Sequence, residues 1–268
     1  MWEITQALIF GSSFFLFSVT VWQKARWLFF TPTNEADWTK DQTLLQTAVF
    51  NTDGTVTIKN LRDITYRTEE DFDVAHTEQI FRLGDAHTVW AVHSLFGVGA
   101  AHFFFSFEFS DGTYLPISIE IRKRVGASFG WKVLFKPFEL MYIAATEADV
   151  VRTRLCDRKE EQVFVYKMNI PTDVIPALLR DMLERMNQLA EKPHFYNILA
   201  ENCTSLPVWH LKRVWRSCPL PWWDWRYFVS SRIDELLRAR KLIDIPLSLE
   251  GKDLCAAPRA EFSKILRG

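Results

Sequence analysis

The stretch AHFFFSFEFSDGTYLPISIEIR, residues 101–122, contains two runs of alternating polarity that are separated by Asp111-Gly112. Alternation with a period of two is typical of β-strands, and an Asp-Gly pair between two such runs predicts a hairpin turn. The first run carries Phe103, Phe105, Phe107 and Phe109 on one face and His102, Phe104, Ser106 and Glu108 on the other. In the second run, Ile117, Ile119 and Ile121 alternate with Ser118, Glu120 and Arg122. The stretch therefore predicts an antiparallel hairpin.

The polarity of the two runs also predicts the register of the hairpin. A two-residue loop would pair Ser110 with Thr113 and would set charged side chains beside the phenylalanines. A three-residue loop with a glycine bulge brings the phenylalanines and the isoleucines to one face instead. Glu120 then lies opposite His102 or Phe104, with Ser118 on the same face. We therefore predict a carboxylate near the imidazole of His102, where it would fix the ring tautomer.

A candidate nucleophile lies in FYNILAENCTS, residues 195–205, just before a run that is typical of a helix. Asn202, Thr204 and Ser205 are candidate caps, and the helix dipole is expected to lower the pKa of the Cys203 thiol. Backbone N–H groups there would form an oxyanion hole. This pattern indicates Cys203 as nucleophile and His102 as general base, with Asn202 and Thr204 in support; a buried structural cysteine is the alternative.

Other histidines compete with His102 for a place in this site. His87 and His93 precede it on a neighbouring predicted strand and are alternative orienting groups. His210 lies two helical turns after Cys203, roughly 10 Å along the helix axis, which is too far for a direct hydrogen bond.

The order of predicted elements along the chain is strands first and helices second. A strand begins at Thr55, and further strands are predicted over Gln79–Leu83, His87–Phe96, His102–Phe109, Tyr114–Arg122, Leu140–Ala145 and Gln162–Met168. Helices are predicted over Asp173–Glu191, from Asn202 or Cys203 to Arg216, and over Trp225–Arg240. This order predicts an α+β fold in which an antiparallel sheet packs against helices.

The N-terminus contains nineteen consecutive residues without a charge, Ile4–Trp22, which is long enough to span a bilayer. We predict an uncleaved membrane anchor over residues 1–30, a connecting segment over 31–50, the α+β domain over 51–245 and a tail over 246–268; a buried helix is the alternative to the anchor. Lys24 and Arg26 follow the span, so the positive-inside rule would place the domain in the cytoplasm.

Composition excludes several classes of function. A net charge of −1 gives no basis for nucleic-acid binding, and the four cysteines form no C-x-x-C pair, so neither a zinc site nor a cofactor is predicted. In an oxidising compartment, Cys218 and Cys255 are a candidate disulfide pair.

Several motifs together resemble the Lnb N-terminal periplasmic domain family over roughly residues 50–230. The segments that carry the resemblance are residues 60–72, 101–109, 117–123, 138–142, 147–154 and 195–204. The resemblance implies a periplasmic domain held at the bacterial inner membrane, and a permuted papain-like fold in which the histidine strand precedes the nucleophile helix. It implies Cys203 as nucleophile, His102 as base and Glu120 as third member, and Lnb itself transfers an acyl chain to lipoprotein N-termini. Ser205 departs mildly from the family's second threonine.

The expected function is that of a membrane-anchored thiol enzyme that forms an acyl-enzyme on Cys203. Its expected partners are membrane lipids and lipoprotein N-termini, because the aromatic segment WWDWRYF, residues 222–228, suits a lipid substrate as well as helix packing. One alternative is a cysteine peptidase or cell-wall amidase that uses the same chemistry. The other is an anchored binding module without catalysis.

Overall fold

The structure is a computed structural model that describes residues 18–23, 25–68, 71–97, 99–127, 137–158 and 160–268. Within these ranges, no helix combines the length and the apolar character that crossing a bilayer requires. The predicted span Ile4–Trp22 falls mostly on residues 1–17, outside the described part of the chain, and the anchor stays a prediction.

A five-stranded antiparallel sheet forms the centre of the domain, and its strand order is β10-β6-β7-β8-β9. These strands are β6 (Ala86–Gly97), β7 (Ala100–Phe109), β8 (Tyr114–Arg122), β9 (Glu139–Ala144) and β10 (Gln162–Lys167). Each predicted strand of this sheet is confirmed to within two residues at its ends, because both faces of the sheet are covered and the apolar runs are long.

Two smaller sheets accompany the central one. The three-stranded sheet has the order β1-β2-β5 and contains β1 (Thr47–Phe50), β2 (Thr55–Arg62) and β5 (His76–Arg82). The third is the hairpin of β3 (Thr65–Tyr66) and β4 (Phe72–Asp73). Strand β1 lies within the segment that the sequence suggested as a connection, and it pairs with β2 from Thr47 to Phe50.

Except for one short helix between β9 and β10, the helices follow the strands along the chain, as predicted for an α+β fold. They are α1 (Glu147–Val150), α2 (Ile175–Glu191), α3 (Ser205–Val214), α4 (Ile233–Ala239) and α5 (Phe262–Arg267). The continuous helix predicted over Trp225–Arg240 is wrong. Two 3₁₀ turns, Trp225–Tyr227 and Ser230–Arg232, precede α4, and the side chain of Asp224 caps the first of them by accepting from the Arg226 N–H.

Apolar side chains bury both faces of the central sheet. The phenylalanines at 103, 105, 107 and 109 pack in one cluster with α2 and α3. On the opposite face, Phe104 packs with Trp90, Met141 and the α5 residues Phe262 and Leu266. His102, Ser118 and Glu120 point to this second face, so their polar groups need partners within the protein.

A disulfide joins Cys156 to Cys255 and fastens the C-terminal residues to the body of the domain. The pairing of Cys218 with Cys255 that the sequence suggested is therefore wrong, and Cys218 is a free thiol, as is Cys203. Spacing in sequence carries no information on which cysteines meet in space. Cys156 lies in a single π-helical turn, Thr153–Asp157, that directly follows α1.

Candidate active site

The hairpin of β7 and β8 has one of the two registers that the polarity pattern predicted. Phe105 pairs with Ile117 and Glu108 with Tyr114, and the turn contains Gly112 at a φ of +79°. The same register continued along the strands places His102 opposite Glu120. The expectation of a carboxylate beside the imidazole is confirmed, since Glu120 Oε1 lies 3.5 Å from His102 Nε2.

Ser118 joins the histidine to the carboxylate. His102 Nε2 lies 2.7 Å from Ser118 Oγ, and Ser118 Oγ donates to Glu120 Oε1 at 2.8 Å. Because the hydroxyl proton goes to the carboxylate, Ser118 Oγ must accept from an Nε2–H group. The network therefore assigns the proton of the neutral ring to Nε2 and leaves a lone pair on Nδ1, the atom that a general base needs.

Arg154, from the π-helical turn, supplies the positive charge that pairs with Glu120 in this network. Its Nη2 donates to Glu120 Oε1 at 3.0 Å, and its Nη1 donates to the carbonyl of Val150 at 2.6 Å. Burial would raise the pKa of Glu120, but Arg154, His102, Arg62 and the Ser118 hydrogen bond together outweigh burial and hold that pKa well below its usual range. Burial and the Arg154 guanidinium lower the pKa of His102 to about 3. The imidazole is therefore neutral at neutral pH.

Asn202 caps the helix that follows the cysteine. Its Oδ1 accepts from the N–H groups of Thr204 and Ser205, both at 2.8 Å, and Ser205 Oγ accepts in return from the Asn202 N–H at 3.0 Å. These bonds satisfy N–H groups that the first turn of α3 leaves without helical partners. Of the three candidate caps, Asn202 and Ser205 act as a reciprocal pair, and Cys203 is fixed between them.

The sulfur of Cys203 lies against the strand that carries the histidine. Sγ is 3.8 Å from the carbonyl oxygen of Ala101 and 4.0 Å from Thr204 Oγ1. Both residues lie in the described part of the chain, and no hydrogen bond joins Cys203 Sγ to His102 Nδ1. The residue is only 9% exposed, so a substrate carbonyl reaches the sulfur only after neighbouring side chains move.

The pKa of the thiol contradicts the expectation from the helix dipole. Burial raises the pKa of Cys203, and the hydrogen bonds from the Phe103 backbone and from the hydroxyls of Tyr196 and Thr204 offset this effect only in part. The predicted lowering was wrong because it considered the helix terminus without the desolvation of the sulfur. The site thus holds a protonated thiol and a neutral imidazole rather than a thiolate and an imidazolium.

The other histidines have separate partners. His210 lies 2.7 Å from the Tyr142 hydroxyl and 2.6 Å from Asp181 Oδ2, and this buried chain links β9, α3 and α2. His93 Nε2 bonds to the carbonyl of Ser230 at 3.0 Å, and His87 Nδ1 bonds to its neighbour Thr88. Within the described part of the chain, Ser118 and Glu120 orient His102, and His87 and His93 do not.

Tyr196 is a part of the site that sequence reasoning missed. Its hydroxyl accepts from the Cys203 N–H at 3.2 Å, and its carbonyl accepts from Arg26 Nη2 at 2.7 Å. Burial raises the pKa of Tyr196 well above the ordinary value, so the hydroxyl keeps its proton. A protonated hydroxyl beside the candidate nucleophile can donate to a developing oxyanion. Tyr196 lies seven residues before Cys203, within the same quoted motif, but no spacing rule pairs the two.

For a site in which Cys203 is the nucleophile, replacing Tyr196 with phenylalanine is expected to slow acylation of Cys203 by about 10²-fold, the usual effect of removing one oxyanion donor. The rate is measured by quenched-flow acylation with a thioester or ester substrate. Tyr142→Phe is the matched control, because it also removes a buried hydroxyl bond, to His210, at a distance from the sulfur. Equal rates in the two variants would contradict a role for the Tyr196 hydroxyl.

The fold and the site together define an antiparallel α+β domain in which His102 and Glu120 pair on neighbouring strands, and Cys203 lies against the backbone of the histidine strand at Ala101. No group of three metal-ligating side chains occurs among the described residues. The family model of the Lnb N-terminal periplasmic domain matches residues 71–231, more than half of the chain, and the chain belongs to this family. Membership indicates a periplasmic location. Comparison with curated proteins and with solved structures found no match.

Proposed function

We propose that this protein is a cysteine-dependent enzyme that forms an acyl-enzyme on Cys203, with His102 as general base and Glu120 as the orienting carboxylate. The observation that carries the proposal is the chain of contacts from Arg154 through Glu120 and Ser118 to His102 Nε2, which leaves Nδ1 free to accept a proton. Burial and a specific charge partner together shift the pKa of His102, and groups perturbed in this way cluster at functional sites.

The chemistry follows from the protonation states. His102 Nδ1 takes the Sγ proton as the sulfur attacks an ester or amide carbonyl, and the imidazolium then gives that proton to the departing alcohol or amine. The acyl-enzyme remains on Sγ until water or an amine attacks it, with His102 accepting the proton of the incoming group. Because the resting thiol is protonated, proton transfer accompanies the attack, and the thiol must first turn from the Ala101 carbonyl toward the ring.

The proposed substrate is a lipid or a lipoprotein of the bacterial cell envelope. Support comes from the predicted N-terminal anchor, from the periplasmic family, and from the exposed aromatic side chains that follow α3. The proposal includes a single-pass anchor in the inner membrane and a permuted papain-like arrangement, in which the histidine strand β7 precedes the cysteine helix α3 in the chain. The acyl-enzyme is resolved by an amine in transfer or by water in hydrolysis.

The test is mass spectrometry of the full-length protein after incubation with bacterial membranes and acid quenching. We expect a hydroxylamine-labile acyl adduct on the peptide that contains Cys203, absent in Cys203→Ala and in His102→Ala. Cys218 is an internal control, since it is a free thiol and is more exposed than Cys203. An adduct on Cys218 alone, or none, contradicts the proposal. A peptidyl adduct on Cys203 indicates a peptidase or amidase instead.

A further inference from the structure

Large aromatic side chains are exposed in one segment of the chain that follows α3. Trp222 is 90% exposed, Trp223 69% and Trp225 46%. Phe228 and the α3 residue Trp209 are exposed to a similar degree as Trp225. We call residues 222–228 the tryptophan loop. A contiguous group of exposed aromatic side chains is uncommon on soluble proteins and marks a surface that contacts another phase or molecule.

Hydrogen bonds fasten the tryptophan loop and the residues just after it to both halves of the candidate site. Asn202 Nδ2, from the turn that holds Cys203, donates to the carbonyl of Tyr227 at 3.2 Å. The N–H of Ala101, next to His102, donates to Ser230 Oγ at 2.8 Å. The exposed aromatics are therefore attached at the place where the cysteine turn and the histidine strand meet.

Cations accompany the exposed aromatics. Lys212 Nζ lies 4.1 Å from the centroid of the Trp222 ring and donates to the carbonyl of Pro221. Lys212 is also three residues from Trp209 on α3, so the two share one side of that helix. Arg226 lies over the Trp225 ring while it bonds to Asp224. Indole rings beside amino and guanidinium groups are the composition that favours the interface of a bilayer.

The N-terminal residues reach the same region of the molecule. Arg26 donates to the carbonyl of Tyr196, whose hydroxyl contacts Cys203, and its guanidinium lies over the Phe195 ring. Leu28 and Phe29, which follow, are 82% and 69% exposed. The uncharged stretch Ile4–Trp22 thus ends four residues before a contact with the cysteine turn. A bilayer that held this stretch would lie next to the site.

We propose that the tryptophan loop, together with Trp209 and Lys212, docks on the surface of an anionic phospholipid bilayer and sets the entrance of the Cys203 site at the membrane. The rings enter the interfacial region while the cations meet lipid phosphates. Docking of this surface does not require the thiol chemistry. A vesicle experiment and the acyl-adduct experiment therefore succeed or fail separately.

The test uses a fluorescent label at a single introduced cysteine. In a background of Cys203→Ser and Cys218→Ser, which keeps the Cys156–Cys255 disulfide, a nitrobenzoxadiazole group is attached to Trp223→Cys. The matched control is Ile80→Cys, because Ile80 is 63% exposed on β5 of another sheet. Both full-length proteins are reconstituted into vesicles of phosphatidylethanolamine and phosphatidylglycerol, with and without a lipid that carries a nitroxide near the headgroup.

The label at position 223 is expected to lose about half of its emission to the nitroxide lipid, and the label at position 80 almost none. Equal quenching of the two labels, or none at either, overturns the proposal. Protection of the position 223 label from iodide without nitroxide quenching also overturns it, because a second copy or another protein would then cover the loop.

Discussion

His102→Ala will slow acylation of Cys203 by about 10²–10⁴-fold, the range that a positioned general base contributes. The size of the effect follows from the protonation states of the resting site. Burial raises the pKa of the Cys203 thiol, so little thiolate forms without a base, and in the proposed mechanism the unprotonated Nδ1 of His102 accepts that proton. Single-turnover acylation with an ester substrate, followed by acid quenching, measures the rate constant directly.

His87→Ala is the matched control for this prediction. His87 lies on the neighbouring strand β6, is exposed, and bonds only to Thr88 among the described residues. Its removal is expected to leave the rate unchanged. A more alkaline reaction should partly restore the rate of His102→Ala, because hydroxide then deprotonates the thiol. A rate that falls equally in both variants would indicate a general loss of structure. An unchanged rate in His102→Ala would contradict the assignment of His102 as general base.

Asp149→Asn is expected to lower the free energy of unfolding by about 3–5 kcal/mol, the usual effect of removing one partner from a buried ion pair. The Asp149 carboxylate accepts hydrogen bonds from Arg62 Nη2 at 2.8 Å, from Arg62 Nε at 2.9 Å and from the Ile64 N–H at 2.9 Å. Its side chain is fully buried and that of Arg62 is 4% exposed. The variant leaves the guanidinium charge buried without its carboxylate. Urea unfolding of the oxidised protein measures the change.

Two comparisons sharpen this prediction. Arg67 also bonds to two carboxylates, Asp71 and Asp73, but its side chain is 49% exposed, and Arg67→Met is expected to change stability little. The double variant Arg62→Met and Asp149→Leu removes both charges and is expected to be more stable than Asp149→Asn. A double variant that is the least stable of all would contradict the view that the uncompensated charge causes the loss.

The hairpin and the cap were predictable because local patterns encode them. The alternation over residues 101–122 allows two registers that keep charged groups away from the phenylalanines, and the structure has the one that places Glu120 opposite His102. Asn202 is a strong helix-capping residue, and two N–H groups of α3 reach its side chain. In both cases the decisive contacts join residues that are close in sequence or constrained by one turn.

Local sequence patterns could not predict the contact of Arg154 with Glu120 or the pKa of the Cys203 thiol. Arg154 contacts Glu120 across 34 positions of the chain, and the contact depends on how α1 and the π-helical turn pack on the sheet. Cys156 meets Cys255 across 99 positions for the same reason. The predicted sign of the pKa shift of Cys203 was wrong. A helix terminus can be recognised from the local sequence, whereas burial of the sulfur depends on the whole fold.

The disulfide has a consequence for the lifetime of the free thiol. A compartment in which Cys156 and Cys255 oxidise also exposes Cys203 to the oxidants that join them. Thiol–disulfide exchange proceeds through the thiolate and needs access to the sulfur. Cys203 is protonated, 9% exposed and turned toward a carbonyl group, which makes it a slow partner for any oxidant. The burial that keeps a substrate from the sulfur of Cys203 therefore also protects that sulfur from oxidation, in a compartment where Cys156 and Cys255 form a disulfide.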